Sequence, residues 1–289
     1  MLTNSAVNTG CARHFGSWYR ARTSVPAGRF FVWAGLLLCV FLPGPAAGEK
    51  PDQAVCRTNI YDEKAVVKYV IDGDTIVLTD NRHVRLIGIN TPEIGRDGRP
   101  AQPGADQAHN YLSGLLPENT TINLRYDQQR VDHYKRTLAH LFLEDGANIQ
   151  ALLLDRGLFT TLTIPPNLEF LDCYASSSAT AQSLRIGLWA LTQYQPTPVE
   201  LITTKDLGYR IITGKITRVT EGKSTAWIML AKNLSLRIAS DNLHYFGNLQ
   251  GLAGSQVKVR GLLYFSNGEF RMHIRHPIDM TIMATADGD

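Results

Sequence analysis

Residues 66–78 read Val-Val-Lys-Tyr-Val-Ile-Asp-Gly-Asp-Thr-Ile-Val-Leu, and this stretch decides the fold of the first half of the chain. β-Branched residues are frequent on both sides of Asp72-Gly73-Asp74. Such side chains favour strands, whereas an Asp-Gly pair favours a turn. The stretch therefore predicts two strands about a bend, with the carboxylate of Asp74 at the bend. Taken alone, that carboxylate is explained as an ordinary turn residue.

A third strand is predicted from Val84 to Ile89, and it runs into the sequence Asn-Thr-Pro-Glu at 90–93. Residues two apart in a strand share a face, so Arg85 lies with Ile87 and Ile89 on an otherwise apolar face. A buried guanidinium needs an anion, either a structural carboxylate or a bound phosphate. Both interpretations stay open on these residues alone.

The remainder of the first half alternates helical and strand patterns. Glycines and prolines predict a loop at 94–104, and Gly157 and Gly187 mark helix ends. The predicted elements are a helix from Ala105 to Leu116, strands at 121–126 and 137–143, a helix ending at Gly157 and a helix at 168–186. Strands with helices between and after them indicate an α+β domain with a small barrel, which we place at 56–192.

Residues 193–198 contain Pro196 and Pro198 and are predicted to form a stiff linker. Strand patterns follow at 209–219, 225–230, 234–238, 257–265 and 269–274, with one short helix at 241–246. Three strands, a helix and two strands is the order of an OB-type barrel. We therefore expect a mostly β, α+β chain, in which an OB-type five-stranded barrel with three helices is followed by a second, OB-like barrel at 199–284.

A polar, basic motif, Arg-Val-Asp-His-Tyr-Lys-Arg-Thr-Leu-Ala, occupies residues 130–139. Together with Asp74 and the segment at 85–93, it supplies oxygen ligands suited to a hard cation, two arginine forks suited to phosphate and an additional carboxylate. The order Asp-Gly-Asp-Thr, Arg-Leu-Ile-Gly-Ile-Asn-Thr-Pro-Glu, Asp-His-Tyr-Lys-Arg and a closing Gly-Leu-Trp resembles the staphylococcal nuclease family over Val66 to Ala190. The resemblance implies calcium-dependent hydrolysis of DNA and RNA phosphodiesters.

The resemblance also implies a role for each matching residue. It assigns calcium coordination to the carboxylate of Asp74, to Asn90 as a second ligand and to the backbone carbonyl of Thr91. It assigns orientation of the attacking water to Glu93. It assigns phosphate contacts to Arg85, Arg136 and Tyr134. Asn90 stands where the best-known member has an aspartate, so we expect weaker calcium affinity. Lys135 replaces a usual glycine, and Leu162-Thr163-Ile164 lacks the tyrosines that flank the terminal nucleotide in that member.

Residues 1–48 have the layout of a secretory signal peptide. They contain four arginines, no acidic residue and a 13-residue apolar run at 30–42, which is shorter than a membrane-spanning helix requires. The alternative is an uncleaved anchor. Cleavage predicts a periplasmic or secreted monomer without stable membrane association. Export would leave Cys56 and Cys173, which we expect to form a disulfide, although two separately buried thiols fit the spacing equally well.

The net charge of the chain changes sign when residues 1–48 are left out. The whole chain has a net charge of +3, and removing the four arginines gives −1. Residues 49–192 then carry −4 and residues 193–289 carry +3. Basic and aromatic side chains on the second barrel predict a preference for single-stranded nucleic acid. The alternative is an ordinary sheet with solubilising charges.

Two functions of different classes are compatible with this sequence. The first is an exported calcium-dependent nuclease acting on DNA, RNA or both. The second is a non-catalytic protein that binds nucleic acid or another protein on a nuclease scaffold with an impaired metal site. Asn90 favours the second function, and the joint presence of Asp74, Arg85, Glu93 and Arg136 favours the first.

Overall fold

The bend at Asp72-Gly73-Asp74 joins two antiparallel strands, β1 (Glu63–Asp72) and β2 (Thr75–Leu78), in the computed structural model of the chain. The backbone N–H of Asp74 donates to the carboxylate of Asp72 and closes the turn. The structure describes residues 56–95, 98, 100–231 and 233–283. The predicted signal peptide lies outside the described residues.

Five strands close into the first barrel in the order β1, β2, β3, β6 and β5. All neighbours pair antiparallel except β3 and β6, which run parallel. The remaining barrel strands are β3 (His83–Leu86), β5 (Thr121–Arg125) and β6 (Thr137–Phe142), and two short strands pair beside the barrel, β4 (Ile89–Asn90) and β7 (Thr160–Thr161). Val67, Ile76 and Leu124 are fully buried and belong to the core of this barrel.

Three helices cover this barrel, as predicted: α1 (Ala105–Leu115), α2 (Ile149–Asp155) and α3 (Leu171–Ser183). Helix α1 buries Ala108 and Leu112 at helical spacing. Helix α2 begins at Asn148, whose side chain accepts a hydrogen bond from the N–H of Ala151. Helix α3 is shorter at both ends than the predicted 168–186. Within the described residues, no helix is long and apolar enough to cross a membrane.

Cys56 and Cys173 form a disulfide in the structure. Their Cα atoms are 5.2 Å apart, and both residues are buried. The bond connects the segment before β1 to helix α3 across a sequence separation of 117 residues. It therefore fixes the outermost helix to the start of the barrel.

The second half of the described chain forms another closed barrel, which confirms the predicted fold class. Its ring is closed because β9 pairs with both β10 and β12. The ring comprises β9 (Gly208–Glu221), β10 (Thr225–Leu230), β11 (Leu234–Ala239), β13 (Glu269–His273) and β12 (Gln256–Ser266). One turn of helix, α4 (Ser240–Leu243), follows β11 at the predicted place. Two further strands extend the sheet, β8 (Pro196–Pro198) and β14 (Met280–Met283).

An aromatic seam made of Trp189, Tyr194 and Tyr209 joins the two barrels, which belong to one compact unit. The ring centroids of Trp189 and Tyr194 are 5.8 Å apart, and those of Tyr194 and Tyr209 are 5.9 Å apart. Strand β8, within the segment predicted as a linker, pairs in parallel with β9. The connection is therefore packed against the second barrel over residues 196–198.

We predict that replacing both Cys56 and Cys173 by serine lowers the free energy of unfolding by about 2–5 kcal/mol, because a long loop of the unfolded chain loses its closure. Urea denaturation of the oxidised protein and the double variant, monitored by tryptophan fluorescence, measures the difference. The reduced wild-type protein serves as the control and should match the variant. Equal stability of the oxidised protein and the variant would contradict the prediction.

Candidate functional site

Asp74 lies at the start of β2, where the bend turns its carboxylate into the protein. The side chain is buried, and its Oδ2 atom accepts hydrogen bonds from the backbone N–H and the hydroxyl of Thr91, both at 3.2 Å. Its Oδ1 atom accepts from the Thr75 hydroxyl at 3.1 Å. The bend between two strands thus holds the loop that contains Thr91.

Arg85 forms a buried ion pair with Asp74, with 3.0 Å between Nη2 and Oδ2. The guanidinium also donates to the carbonyls of Leu86 at 2.6 Å and Ile89 at 2.9 Å. The sequence left two partners open for Arg85, a structural carboxylate or a bound phosphate. The structure supplies the carboxylate, which is that of Asp74. Burial raises the pKa of Asp74 and lowers that of Arg85, and the attraction between the two groups opposes both shifts. Each charge is retained because the other is present.

Asn90 and Thr91 place amide and carbonyl oxygens beside this pair. The Nδ2 group of Asn90 donates to the carbonyl of Thr91 at 3.2 Å, and its Oδ1 atom lies 3.5 Å from Nη2 of Arg85. With Asp74, these residues offer the oxygen ligands that a hard cation such as calcium takes. Only one of the three supplies a carboxylate. No group of three or more His, Cys, Asp or Glu side chains suited to a metal occurs in the described part of the chain.

Arg136 is held at the end of a tight turn by Asp132. Its Nε–H donates to Oδ2 of Asp132 at 2.8 Å, and Oδ1 of Asp132 accepts from the backbone N–H groups of Tyr134 and Arg136 at 2.9 Å each. Burial alone would raise the pKa of Asp132, but these hydrogen bonds outweigh it and lower the pKa. Lys135 has a positive φ of 65° in this turn, the conformation for which glycine is favoured. Lys135 therefore adopts a left-handed backbone conformation that glycine takes without strain.

Arg85 and Arg136 line one cavity of about 210 Å³. His133 also lines this cavity, and Leu162 and Ile164 give it an apolar part. Tyr134 is exposed and stacks beside Arg136, whose Cζ atom is 5.3 Å from the ring centroid. His133 and Asp132 belong to the motif at 130–139, but nothing in their types or spacing separates them from a solvated turn. The structure adds both to the site.

Glu93 lies at the rim, with an exposed side chain. Its backbone N–H donates to the side chain of Gln102 at 3.0 Å, and its carbonyl accepts from the N–H of Gln102 at 2.9 Å. The carboxylate is close enough to Arg85 to stabilise its charge. With Thr91 it lines a polar cleft of about 350 Å³. A carboxylate at an open rim has room for a water molecule and a substrate.

A small closed five-stranded barrel, here with two arginines lining one cavity beside a buried carboxylate, defines the class of OB-type folds. A family model described as staphylococcal nuclease homologue matches residues 83–191. The thermonuclease of Staphylococcus intermedius is 34% identical over 135 residues, which cover 46% of this chain and 79% of the relative. The thermonuclease of Staphylococcus hyicus is 29% identical over 143 residues, which cover 48% and 83%. The chain belongs to the staphylococcal nuclease family.

A third relative is similar only in part. The SPbeta prophage-derived endonuclease YokF of Bacillus subtilis is 30% identical over 129 residues, which cover 43% of each chain. The family model ends at residue 191, immediately before the segment that leads to the second barrel. The family assignment therefore rests on the first barrel.

We predict that Gly73→Ala distorts the site while Gly114→Ala does not. A Cβ atom at residue 73 would lie 2.5 Å from Cγ2 of Thr91 and 3.1 Å from Cβ of Ala108, so Thr91, which hydrogen-bonds to Asp74, must shift. We expect a loss of about 1–3 kcal/mol from overpacking. Gly114, in helix α1, has open space around it, and alanine there should stabilise the protein by up to about 1 kcal/mol.

Urea denaturation of both variants gives the two free energies of unfolding. A calcium titration, read out as the shift in melting temperature, then tests the site itself. Displacement of Thr91 should weaken calcium binding in the Gly73 variant and leave it unchanged in the Gly114 variant. A Gly73→Ala protein as stable and as responsive to calcium as the wild type would refute the close approach.

Proposed function

We propose that this chain hydrolyses phosphodiester bonds of DNA, RNA or both in a calcium-dependent reaction. The observation that carries the proposal is the convergence of Arg85 and Arg136 on one cavity, directly beside the buried carboxylate of Asp74. Membership of a family whose relatives are named thermonuclease and endonuclease supports the same reaction. Domain limits of 56–192 for the catalytic domain, 193–198 for the connection and 199–284 for the second barrel are part of the proposal.

The two arginines bind the phosphate with those guanidinium N–H groups that make no hydrogen bond within the described protein. Of the guanidinium donors of Arg85, Nε–H and one Nη1–H have no partner among the described residues. Arg136 uses Nε–H for Asp132, and both of its Nη groups stay without a partner in the same part of the chain. Charge-assisted hydrogen bonds from these donors neutralise a phosphodiester and strengthen as negative charge develops in the transition state. Tyr134, beside Arg136, contributes a further phosphate contact.

Glu93 orients the attacking water and accepts its proton. Its exposed carboxylate lies in the cleft with Thr91 and close to Arg85, so a water held there faces a phosphate bound by the arginine. Removing the proton as the water attacks contributes a factor of about 10²–10⁴ in such reactions. The negatively charged phosphodiester repels a hydroxide ion that approaches from bulk water. A neutral water molecule that Glu93 already holds in position avoids this repulsion.

Calcium would be held by Asp74, Asn90 and the carbonyl of Thr91, whose oxygens suit it in type. When bound, it supplies Lewis-acid stabilisation of the phosphate oxygens and positions the reacting groups. The single carboxylate in this set predicts weak affinity. Arg85 and the Asn90 amide now occupy these oxygens through hydrogen bonds, so binding must exchange some of those contacts.

A second candidate function is nucleic-acid or protein binding without cleavage. Asn90 favours it, because an amide in place of a carboxylate reduces the negative charge of the metal site. Glu93 argues against it, because binding an anionic strand gains nothing from an exposed carboxylate next to the arginines. Calcium-dependent cleavage distinguishes the two functions directly.

We also propose that the protein is exported, periplasmic or secreted, as a monomer with a preference for single strands. The disulfide between Cys56 and Cys173 supports this location, because such bonds persist in oxidising compartments. The signal peptide predicted at 1–48 supports it from the sequence. Amino-terminal sequencing of protein recovered outside the cytoplasm should give a start near residue 49, and recovery only from the cytoplasm would contradict export.

We predict that Glu93→Gln and Arg136→Lys each lower kcat on denatured DNA by roughly 100-fold or more. Glutamine cannot accept the proton from water, and lysine keeps a charge but loses the planar fork that binds two oxygens. Initial rates with calcium and with a chelator provide the measurement. The matched controls Glu118→Gln and Arg57→Lys change exposed side chains that do not line the cavity and should keep wild-type rates. Activity in a chelator, or full activity of either site variant, would sink the assigned roles.

We further predict that Asn90→Asp lowers the calcium concentration for half-maximal activity by about tenfold. The substitution restores a carboxylate and hence one negative charge to the metal site. Calcium titrations of the cleavage rate at fixed substrate concentration provide the test. Asn123→Asp, on strand β5, adds the same charge elsewhere and serves as the control. An unchanged calcium requirement would show that residue 90 is not a ligand.

A further inference from the structure

A cavity of about 280 Å³ lies between the two barrels, next to the site described above. The first barrel contributes Asn90 and residues 161–163, and the second barrel contributes Tyr264, His273 and Arg275. The cavity shares Asn90 with the proposed calcium site and Leu162 with the arginine cavity. Its volume approaches the lower end of ligand pockets, about 300 Å³. A ligand in it would therefore adjoin a phosphate bound by Arg85.

Three hydroxyl groups lining the cavity are only loosely paired: that of Thr161 lies near the Tyr209 hydroxyl and that of Thr163 near the Asp279 carboxylate, without full hydrogen-bond geometry. They belong to Thr161, Thr163 and Tyr209. Thr161 and Thr163 are 7% and 5% exposed, so neither is freely hydrated by bulk solvent. Buried polar groups in native proteins are almost always paired, so loosely paired hydroxyls around a cavity are compatible with a polar ligand or bound water there.

Arg275 adds an unpaired cation to the same wall. It is half-buried and makes no hydrogen bond or ion pair with any described residue. Burial lowers its pKa from the ordinary value, and the attraction of Asp279 opposes that shift only in part. Its neighbour Arg260, on the same cavity, is neutralised by Asp279 at 3.0 Å. The cavity therefore carries one uncompensated positive charge, which an anionic ligand would pair.

Tyr264 gives the cavity an aromatic wall. Its hydroxyl lies 2.6 Å from Nε2 of His273, and the two rings are perpendicular with centroids 5.2 Å apart. A fixed aromatic ring can stack with a nucleobase of any type. The first barrel lines the cavity with Leu162 and Thr163 and adds no aromatic residue to it among the described residues.

We propose that this inter-barrel cavity binds one nucleotide of a single-stranded substrate adjacent to the scissile phosphodiester, with its phosphate on Arg275 and its base against Tyr264. The proposal rests on the proposed nuclease function and extends it: the second barrel supplies part of the substrate site.

The test is equilibrium binding of a fluorescein-labelled single strand of about 16 nucleotides, the upper site size of an OB barrel, to the chain without its signal peptide. A chelator prevents cleavage, and fluorescence anisotropy gives Kd. Arg275→Gln should raise Kd about tenfold, and Arg275→Lys should recover part of the loss. The control Arg218→Gln removes an exposed charge from strand β9 of the same barrel, away from the cavity, and should change Kd by less than about twofold.

A second measurement does not depend on how the variants fold. A strand carrying 5-iodouracil, irradiated in complex with the wild-type protein, should crosslink to the peptide that contains Tyr264. Equal Kd values for the Arg275 and Arg218 variants, crosslinks confined to other peptides, or no binding by the wild type would each overturn the proposal. If calcium-dependent cleavage is absent while the Arg275 effect and the crosslink persist, the nuclease function fails and the nucleotide-binding cavity stands.

Discussion

The buried ion pair between Arg85 and Asp74 is the interaction on which the rest of the site depends. Two charges removed from water are tolerated only when each pairs with the other and hydrogen bonds satisfy their remaining atoms. Arg85 meets this condition through the carbonyls of Leu86 and Ile89, and Asp74 meets it through Thr91. The pair therefore fixes the bend before β2, strand β3 and the loop after β4 relative to one another.

That fixed arrangement has a chemical consequence. Asp74 and Arg85 are themselves proposed to bind calcium and phosphate, so the same two side chains serve folding in one state and catalysis in another. A site of this kind is already oriented before substrate arrives, which reduces the cost of ordering it. Asn90 is the weakest part of the arrangement, because it contributes an amide where a second carboxylate would stabilise a cation more strongly.

The second barrel is joined to the site by an aromatic seam and by a shared cavity. Trp189 ends the motif that closes the first barrel, and its contacts with Tyr194 and Tyr209 belong to the second. A tryptophan at the end of a helix suggests a core residue of its own domain, but here it packs between two domains. This packing brings the second barrel, whose segment carries a net positive charge, beside the first, whose segment carries a net negative charge.

The sequence predicted most of the fold because its signals were local. Strand alternation, the Asp-Gly bend, and the glycines that end helices all act over a few residues, and the closed barrels follow from them. Strands β8 and β14 escaped prediction because both are short, and β8 contains two prolines. At the site, the types of Asp74, Arg85 and Arg136 indicated chemistry, whereas Asp132 and His133 gave no signal apart from their motif.

The sequence by itself therefore determined which elements form, which residues can carry charge in a buried site, and that the family is one of OB-type barrels. Only the tertiary structure decided which anion pairs with Arg85, that residues 196–198 pack as a strand, and that Arg275 and Tyr264 line one cavity with Asn90. Each of these depends on contacts between residues that are distant in the chain. Local propensity carries no information about such contacts, because they are fixed by closure of the barrels and by the packing of one barrel against the other.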